Sequence, residues 1–548
     1  MARLNSLTIE NYRSIQEQVT LNLPVGTPTI LLGENNAGKS NIIRALDLMF
    51  GEFHPKYKKL EDYDHHNRST SNQILIQAEV SGFQGRINRN RFSCGGFEFR
   101  KARGRETEYF ALQQEDGQPF QYVNSELREE LLCIVVNSDM NLNYQLSYSS
   151  KFTLLSKVTK AFHDKLVQCE DRVDRLKDLF NSVRLIFHEV TEFSDFNANM
   201  SAIAGQMLSN MTHALKFDFS AYDPSNYFKA LRVHPVEGQE FRAIEELGTG
   251  QQQILALSFA HAYAKSFLGQ GLIFVIDEPE AHLHPLAQKW LAKKMYEMAR
   301  DGLQVVITTH SPFFINLEYL EGINLVKKNQ QTHILSRNAA ALASHCRSKG
   351  AARAAEHTIV PFYSGNSTPE LLNGFFANKV VLVEGPTEEF ALPFFLEAVG
   401  FDPLENGVAI ISVGGKSNLA KWWRFFTCYQ IPSFVCFDND SSHDSNGTHR
   451  KDALKAIGIP EEELNAVLTA DNWNINRSFC VFGVDYEVTM RSSFANYLRY
   501  EEEARQLLGS SKPIVARSVA SKITSDERMD NDLGWSRFTS LANVIRCL

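Results

Sequence analysis

At 548 residues the chain is long enough for two or more domains. Its 43% apolar and 22% charged residues are those of an ordinary globular protein, which excludes a disordered or collagen-like chain. Lys and Arg number 56 against 64 Asp and Glu, a net charge of −8, so overall charge does not announce a nucleic-acid partner, although a local basic groove can sit on an acidic protein. The eight cysteines form no CxxC pair, which argues against zinc and for free buried thiols in a reducing compartment. The first residues lack an apolar signal core and no apolar run is long enough to span a membrane, so a cytoplasmic location is expected.

In chain order, residues 7–15 alternate like a strand and then break, and a second strand is expected over 19–23. Residues 30–32 end a buried strand, followed by Gly33-Glu34-Asn35-Asn36-Ala37-Gly38-Lys39-Ser40, which matches the phosphate-loop pattern GxxxxGK[ST] in full. Residues 41–46 open an amphipathic helix, so the loop has its required strand and helix. Its glycines allow a tight turn whose N–H groups face phosphates at a helix N-terminus. Gly33, Asn36 and Gly38 shape that cradle, Lys39 reaches the β and γ phosphates of ATP, and Ser40 holds Mg²⁺. Residues 74–80 read as a further strand. From 92 to 123, Phe and Tyr alternate with polar residues, which suggests an antiparallel layer beside a parallel core. His65 and His66 have no partner at ligand spacing and are expected to be solvated loop residues.

From 150 to 215 the period changes. Leu154, Leu155, Val158, Phe162 and Leu166, then Val173, Leu176, Leu179, Phe180, Val183 and Phe187, fall at helical spacing, which predicts an inserted helical hairpin with either a core or a dimer-interface role. Gly248-Thr249-Gly250-Gln251 opens another helix. The run 272–276 is a strand buried on both faces and ends in Asp277-Glu278, the Walker B pattern: Asp277 on the Mg²⁺ shell, Glu278 placed to activate water. Ala281-His282-Leu283-His284 follows. The strand 304–308 leads to Thr309 and His310, which is read as a γ-phosphate sensor.

Together these motifs resemble an ABC-type ATPase head of the RecF/SMC class over residues 1 to about 335. The resemblance implies head-to-tail dimers, in which Gly248, Gly250 and Gln251 of one subunit close over ATP held by the other. The signature carries Gly248-Thr249 where transporters have Ser-Gly, which bears on hydrolysis rate more than on ATP binding.

Residues 336–375 read as a linker: an Ala-rich stretch, then the polar turn 363–367. A second α/β unit follows. Strand 379–383 runs into Glu384-Gly385-Pro386-Thr387-Glu388, strand 408–413 into Gly414-Gly415-Lys416, and strand 434–437 into Asp438-Asn439-Asp440. Glu384, Asp438 and Asp440 thus fall at strand ends, which in a parallel sheet share one ligand-binding edge, with Glu388 at the start of the following helix. Four carboxylates there suit hard cations, Mg²⁺ or Mn²⁺, and two ions about 4 Å apart suit phosphodiester hydrolysis.

This unit resembles a Toprim domain. A head followed by Toprim is similar to the OLD (overcoming lysogenization defect) family of nucleases, which includes the nuclease subunit of Gabija anti-phage systems. The resemblance implies a further metal-site acid, here Asp485 or Glu487 with Glu487 favoured, and a late lysine that neutralises the scissile phosphate, Lys512 or its rival Lys522. The expected fold class is α/β: head parts 1–149 and 216–335 around a helical insert 150–215, a linker 336–375, and a Toprim domain 376–548. The expected function is an ATP-binding, metal-dependent DNA endonuclease or nickase acting on double-stranded DNA in anti-phage defence. A homodimer or homotetramer is expected, with a possible helicase-like or other defence partner. A RecF-like DNA clamp without cleavage is the alternative, which leaves the carboxylates after residue 379 without a use. A Toprim topoisomerase would need a nucleophilic tyrosine in a DNA-gate domain, for which too little chain remains.

Overall fold

The computed structural model describes residues 2–51, 54–55, 60–84, 91–93, 97–98, 108–109, 121–136, scattered positions between 146 and 162, and residues 166–207, 233–237, 240–266, 271–281, 283–440, 444–469, 473–526 and 532–548. The chain divides into two compact units, Met1–Val135 with Gly271–Leu548, and Val136–Gln270.

The larger unit contains a six-stranded sheet in the order Gln331–Ser336, Ile323–Asn329, Thr29–Leu32, Gln304–Thr308, Gly271–Asp277, Leu131–Val136. The strands Ile323–Asn329, Thr29–Leu32, Gln304–Thr308 and Gly271–Asp277 pair in parallel. Every residue of Thr29–Leu32 and of Gln304–Thr308 is buried, as expected of strands covered on both faces. A second sheet pairs Arg3–Glu10 antiparallel to Val19–Asn22 and Leu75–Ser81. Its Leu75–Ser81 strand buries alternate residues, so one face is covered and one is not. Of the layer expected over 92–123, Arg91–Ser93 is antiparallel to Leu75–Ser81, and Phe97–Glu98 is antiparallel to Glu108–Tyr109. Gln121–Tyr122 pairs in parallel with Arg91–Ser93, so the layer is not uniformly antiparallel; its remaining positions lie outside the described residues.

The C-terminal sheet runs Val408–Ser412, Lys379–Val383, Ser433–Asp438, Phe479–Phe482, Asn474–Ile475, parallel except for the last edge strand. On one side, helix Pro386–Ala398 packs with Lys512–Ser525 and Leu533–Arg546 around Phe395, whose ring stacks on Phe494 and Phe538 at 5.1 and 4.5 Å.

The stretch 336–375, expected as a linker, is folded. Helices Ala339–Ser348 and Glu356–Asn366 and the turns Pro369–Leu372 and Asn373–Phe376 bury Leu342, Cys346, Tyr363, Leu372 and Phe375. These side chains belong to one apolar core that extends from Ile30 and Leu32 of the phosphate-loop strand to Leu382 and Phe425. The polar turn expected at 363–367 is the end of helix Glu356–Asn366. His65 and His66 are buried rather than solvated: their Nδ1 atoms lie 2.9 Å from the carbonyl oxygens of Asn72 and Arg13. Short-range spacing does not show that these two imidazoles fasten a loop across more than fifty residues.

In the smaller unit, helices Glu170–Glu189 and Thr191–Met207 form the expected hairpin, and helix Thr249–Ser266 follows Gly248. Leu154 and Val158 lie outside the described residues. Among the described cysteines none is in a disulfide, and all but Cys169 and Cys547 are buried; Cys94 lies outside them.

Candidate active sites

The phosphate loop is held in place from outside. Gly33 and Gly38 have φ of 141° and 109°, and Asn36 has 66°. A Cβ on Gly33 would collide with the Val326 carbonyl oxygen, and one on Gly38 with the Thr332 side chain. Only glycine fits both the dihedrals and the space. Thr332 Oγ1 donates to the Ala37 carbonyl at 2.9 Å and lies 2.8 Å from Ser14 Oγ, which accepts from Asn41 Nδ2 at 2.7 Å. Lys39 Nζ donates to the carbonyls of Gly33 and Glu34, both at 2.9 Å, and lies 3.0 Å from His310 Nε2. The ammonium thus rests on the loop's own carbonyls, where a phosphate would compete for it. Ser40 is exposed on the first turn of helix Lys39–Phe50.

The neighbouring strand ends bring the other expected residues to this loop. Thr308 Oγ1 donates to Asp277 Oδ1 and also accepts the Glu278 N–H at 3.0 Å. Glu278 has φ of 50°, a left-handed backbone at the strand end, and its Oε1 is 3.7 Å from His310 Nε2. Burial, then the Lys39 ammonium, lowers the His310 pKa, which favours the neutral imidazole. Glu280 was not singled out from the sequence. Its carboxylate accepts from His310 N at 2.5 Å and Thr309 Oγ1 at 2.8 Å, and so clamps the sensor strand end. His284 caps helix Pro285–Arg300 through Nδ1, which accepts from Ala287 N at 3.3 Å; His282 lies outside the described residues. Within the smaller unit, Gly248 N donates to Gln251 Oε1 at 3.2 Å just before Gly250 in the opening helix turn. A cavity of about 440 Å³ lies beside the phosphate loop, between Glu34–Asn36, Lys327, Phe375 and Gln430.

The second cluster lies at the carboxyl edge of the C-terminal sheet. Glu384 follows strand Lys379–Val383, and Asp438 ends the adjacent parallel strand Ser433–Asp438. Glu388, in the first turn of helix Pro386–Ala398, is buried and accepts the Gly385 N–H at 3.1 Å. Asp485 caps helix Tyr486–Ser493, accepting from Val488 N at 2.6 Å, whereas Glu487 is 9% exposed and faces Lys512, with Nζ 3.4 Å from its Oε1. Lys522 instead pairs with Glu503 at 2.8 Å. The structure therefore brings Lys512, not Lys522, to the cluster, and it separates Glu487 from the capping Asp485.

Two oxygens of the cluster, Glu384 Oε2 and Asp438 Oδ1, are buried and accept no hydrogen bond among the described residues. Burial first, then the like charges of Glu388 and Glu384, raises the Asp438 carboxyl well above its ordinary range. Burial, with Glu384 and Glu487, pushes Glu388 up to about 7. Carboxylates left this poorly compensated fit a divalent cation, whose charge offsets both the desolvation and the repulsion. Among the described residues no three Asp, Glu, His or Cys side chains are yet drawn into a coordination shell. A cationic side chain already stands in the cluster: Lys416 Nζ lies 2.7 Å from Asp440 Oδ1 and 3.6 Å from Glu384 Oε2. Lys416 was read only as the end of a strand-and-turn segment, because nothing in its local sequence shows where its side chain points.

A phosphate-loop ATPase head joined to a Toprim sheet with an acidic carboxyl edge defines the class: an ATPase-coupled Toprim protein. Residues 29–316 match the family described as AAA domain, putative AbiEii toxin, Type IV TA system, and the chain belongs to that family. Residues 375–440 match the overcoming lysogenization defect protein-like TOPRIM domain, which makes this an OLD-type chain. It is 25% identical to an OLD nuclease of Thermus scotoductus over 80% of this chain and 82% of that one. It is 23% identical to the Old nuclease of Escherichia phage P2 over 86% and 82%, and 21% identical to the endonuclease GajA of Bacillus cereus over 80% and 75%. With this membership, a nuclease that binds a nucleotide and a divalent metal is the established class. Among the described residues no helix is long and apolar enough to cross a membrane.

Proposed function

We propose that the chain is an ATP-binding DNA endonuclease or nickase that uses Mg²⁺ or Mn²⁺ and serves anti-phage defence in the cytoplasm. The observation that carries the cleavage reading is the pair of unpartnered buried oxygens, Glu384 Oε2 and Asp438 Oδ1, at neighbouring strand ends. Glu384, Glu388, Asp438, Asp440 and Glu487 are the residues that would hold the metal. A bound divalent metal supplies charge stabilisation to the attacking and leaving oxygens of a phosphodiester. Lys512 is placed to offset charge on the scissile phosphate, and Glu487 holds that ammonium in position.

In the head, Lys39 and the loop amides take the ATP phosphates, Ser40 and Asp277 the metal of the nucleotide, Glu278 orients the attacking water, and His310 reads the γ-phosphate. Gly248, Gly250 and Gln251 act on a second copy of the chain, so the working form is a homodimer or homotetramer. Double-stranded DNA is the substrate, and a helicase-like protein is a candidate defence partner. Supercoiled plasmid incubated with the purified protein, with and without Mg²⁺, Mn²⁺ and ATP, tests the reading. Metal-dependent appearance of nicked or linear DNA is expected, and intact plasmid under every condition contradicts it. That outcome would favour the non-cleaving RecF-like clamp.

A further inference from the structure

Lys416 is an anomaly in an acidic centre. It is 5% exposed. It begins helix Lys416–Cys428, where the helix dipole disfavours a cation, and burial disfavours it again. Gly414 and Gly415, with φ of 71° and 117°, turn the chain from strand Val408–Ser412 into that helix. Few residues other than glycine adopt two such angles in succession. The Gly415 N–H donates to the Glu384 carbonyl at 2.8 Å, which ties the turn to the neighbouring strand end. The side chain then reaches across the sheet edge. Nζ donates to Asp440 Oδ1 at 2.7 Å and to the Asp440 carbonyl at 3.2 Å. Its compensation therefore comes from Asp440 and, at longer range, from Glu384.

From this placement we infer that Lys416 supplies one of the two positive charges expected of the centre, so that the centre takes a single divalent ion per chain, on Glu384, Glu388 and Asp438. A second divalent ion on Asp440 would have to displace or crowd a buried ammonium already bonded to that carboxylate and to its carbonyl. In water such repulsion would be screened, but between buried groups it is not. The inference rests on the metal-centre reading above, and it adds the stoichiometry and the residue that sets it.

The test counts ions and needs no cleavage. Full-length, nucleotide-free protein is titrated with Mn²⁺, with free Mn²⁺ read by electron paramagnetic resonance and heat by calorimetry. The ions belonging to the centre are those lost on Asp438→Asn. One such ion per chain is expected in the parent, still one in Asp440→Asn, and two in Lys416→Met, which keeps most of the stem and removes the charge. Two centre ions in the parent overturn the inference whether or not Lys416→Met folds. So does the loss of a whole ion in Asp440→Asn, or a count in folded Lys416→Met that stays at one. If the parent and Asp438→Asn bind Mn²⁺ identically, the metal-centre reading itself falls, and the inference with it.

Discussion

Glu278 and Asp438 each end a buried strand, yet they serve different chemistry, and single substitutions should separate them. Glu278→Gln removes the carboxylate near His310 and leaves Asp277 with its Thr308 bond. ATP binding should persist while hydrolysis falls by two orders of magnitude or more, measured by nucleotide binding beside phosphate release. Asp438→Ala should abolish plasmid nicking and leave phosphate release near the parental rate. Continued nicking by that variant, or loss of hydrolysis in a folded one, would contradict two separate sites. A titration argument applies to the same cluster. Glu388 is raised from 4.5 to about 7 in the fold. The folded chain therefore holds its proton over a range in which the unfolded chain has lost it, so this group lowers stability as pH rises from about 4.5 to 7. In thermal denaturation with EDTA, Glu388→Gln should flatten that fall. Added Mg²⁺ should raise the parent's Tm more at pH 7 than at pH 5, because an ionised carboxylate binds the cation and a protonated one does not.

At the scale of elements, the segment 336–375 shows where local reading stops. Its alanines, glycine and polar turn are the composition of a connector. Its burial depends on a partner surface, the rings of helix Lys416–Cys428, that lies many residues away in sequence. Phe375 sits 5.0 Å from the Tyr429 ring and 5.7 Å from the Phe425 ring and is 2% exposed. Phe375→Ala should cost about 3–5 kcal/mol, visible as a lower denaturation midpoint in urea. A substitution costing less than about 1 kcal/mol would mean that the segment is a loose connector after all. The phosphate loop, by contrast, was legible in full. Strand, glycine turn and helix are all local, and each glycine's dihedral is required by the turn itself.

For the whole molecule, assembly is the open quantity. On helix Glu170–Glu189, Leu179, Val183 and Ile186 recur at i, i+4 and i+7, and they are 63, 38 and 60% exposed. A second copy of the chain is the occupant that the head-to-tail ATPase arrangement supplies. Light scattering should give at least a dimer at micromolar concentration, and Leu179→Asp with Ile186→Asp should weaken it without ATP. A monomer with and without ATP would contradict both the shared nucleotide site and this contact. By itself the amino-acid sequence determined the α/β class, both nucleotide strand ends, the hairpin insert and the four carboxylates after residue 379. Those features rest on spacing within a few residues, on hydrophobic period and on turn chemistry. Tertiary structure alone decided that His65 and His66 are buried, that the head and the Toprim sheet share one core, that Lys512 rather than Lys522 meets Glu487, and that Lys416 sits among the acids. Each of those depends on which side chain another strand or helix brings within a few ångströms, a distance set by packing across the fold and not by neighbours along the chain.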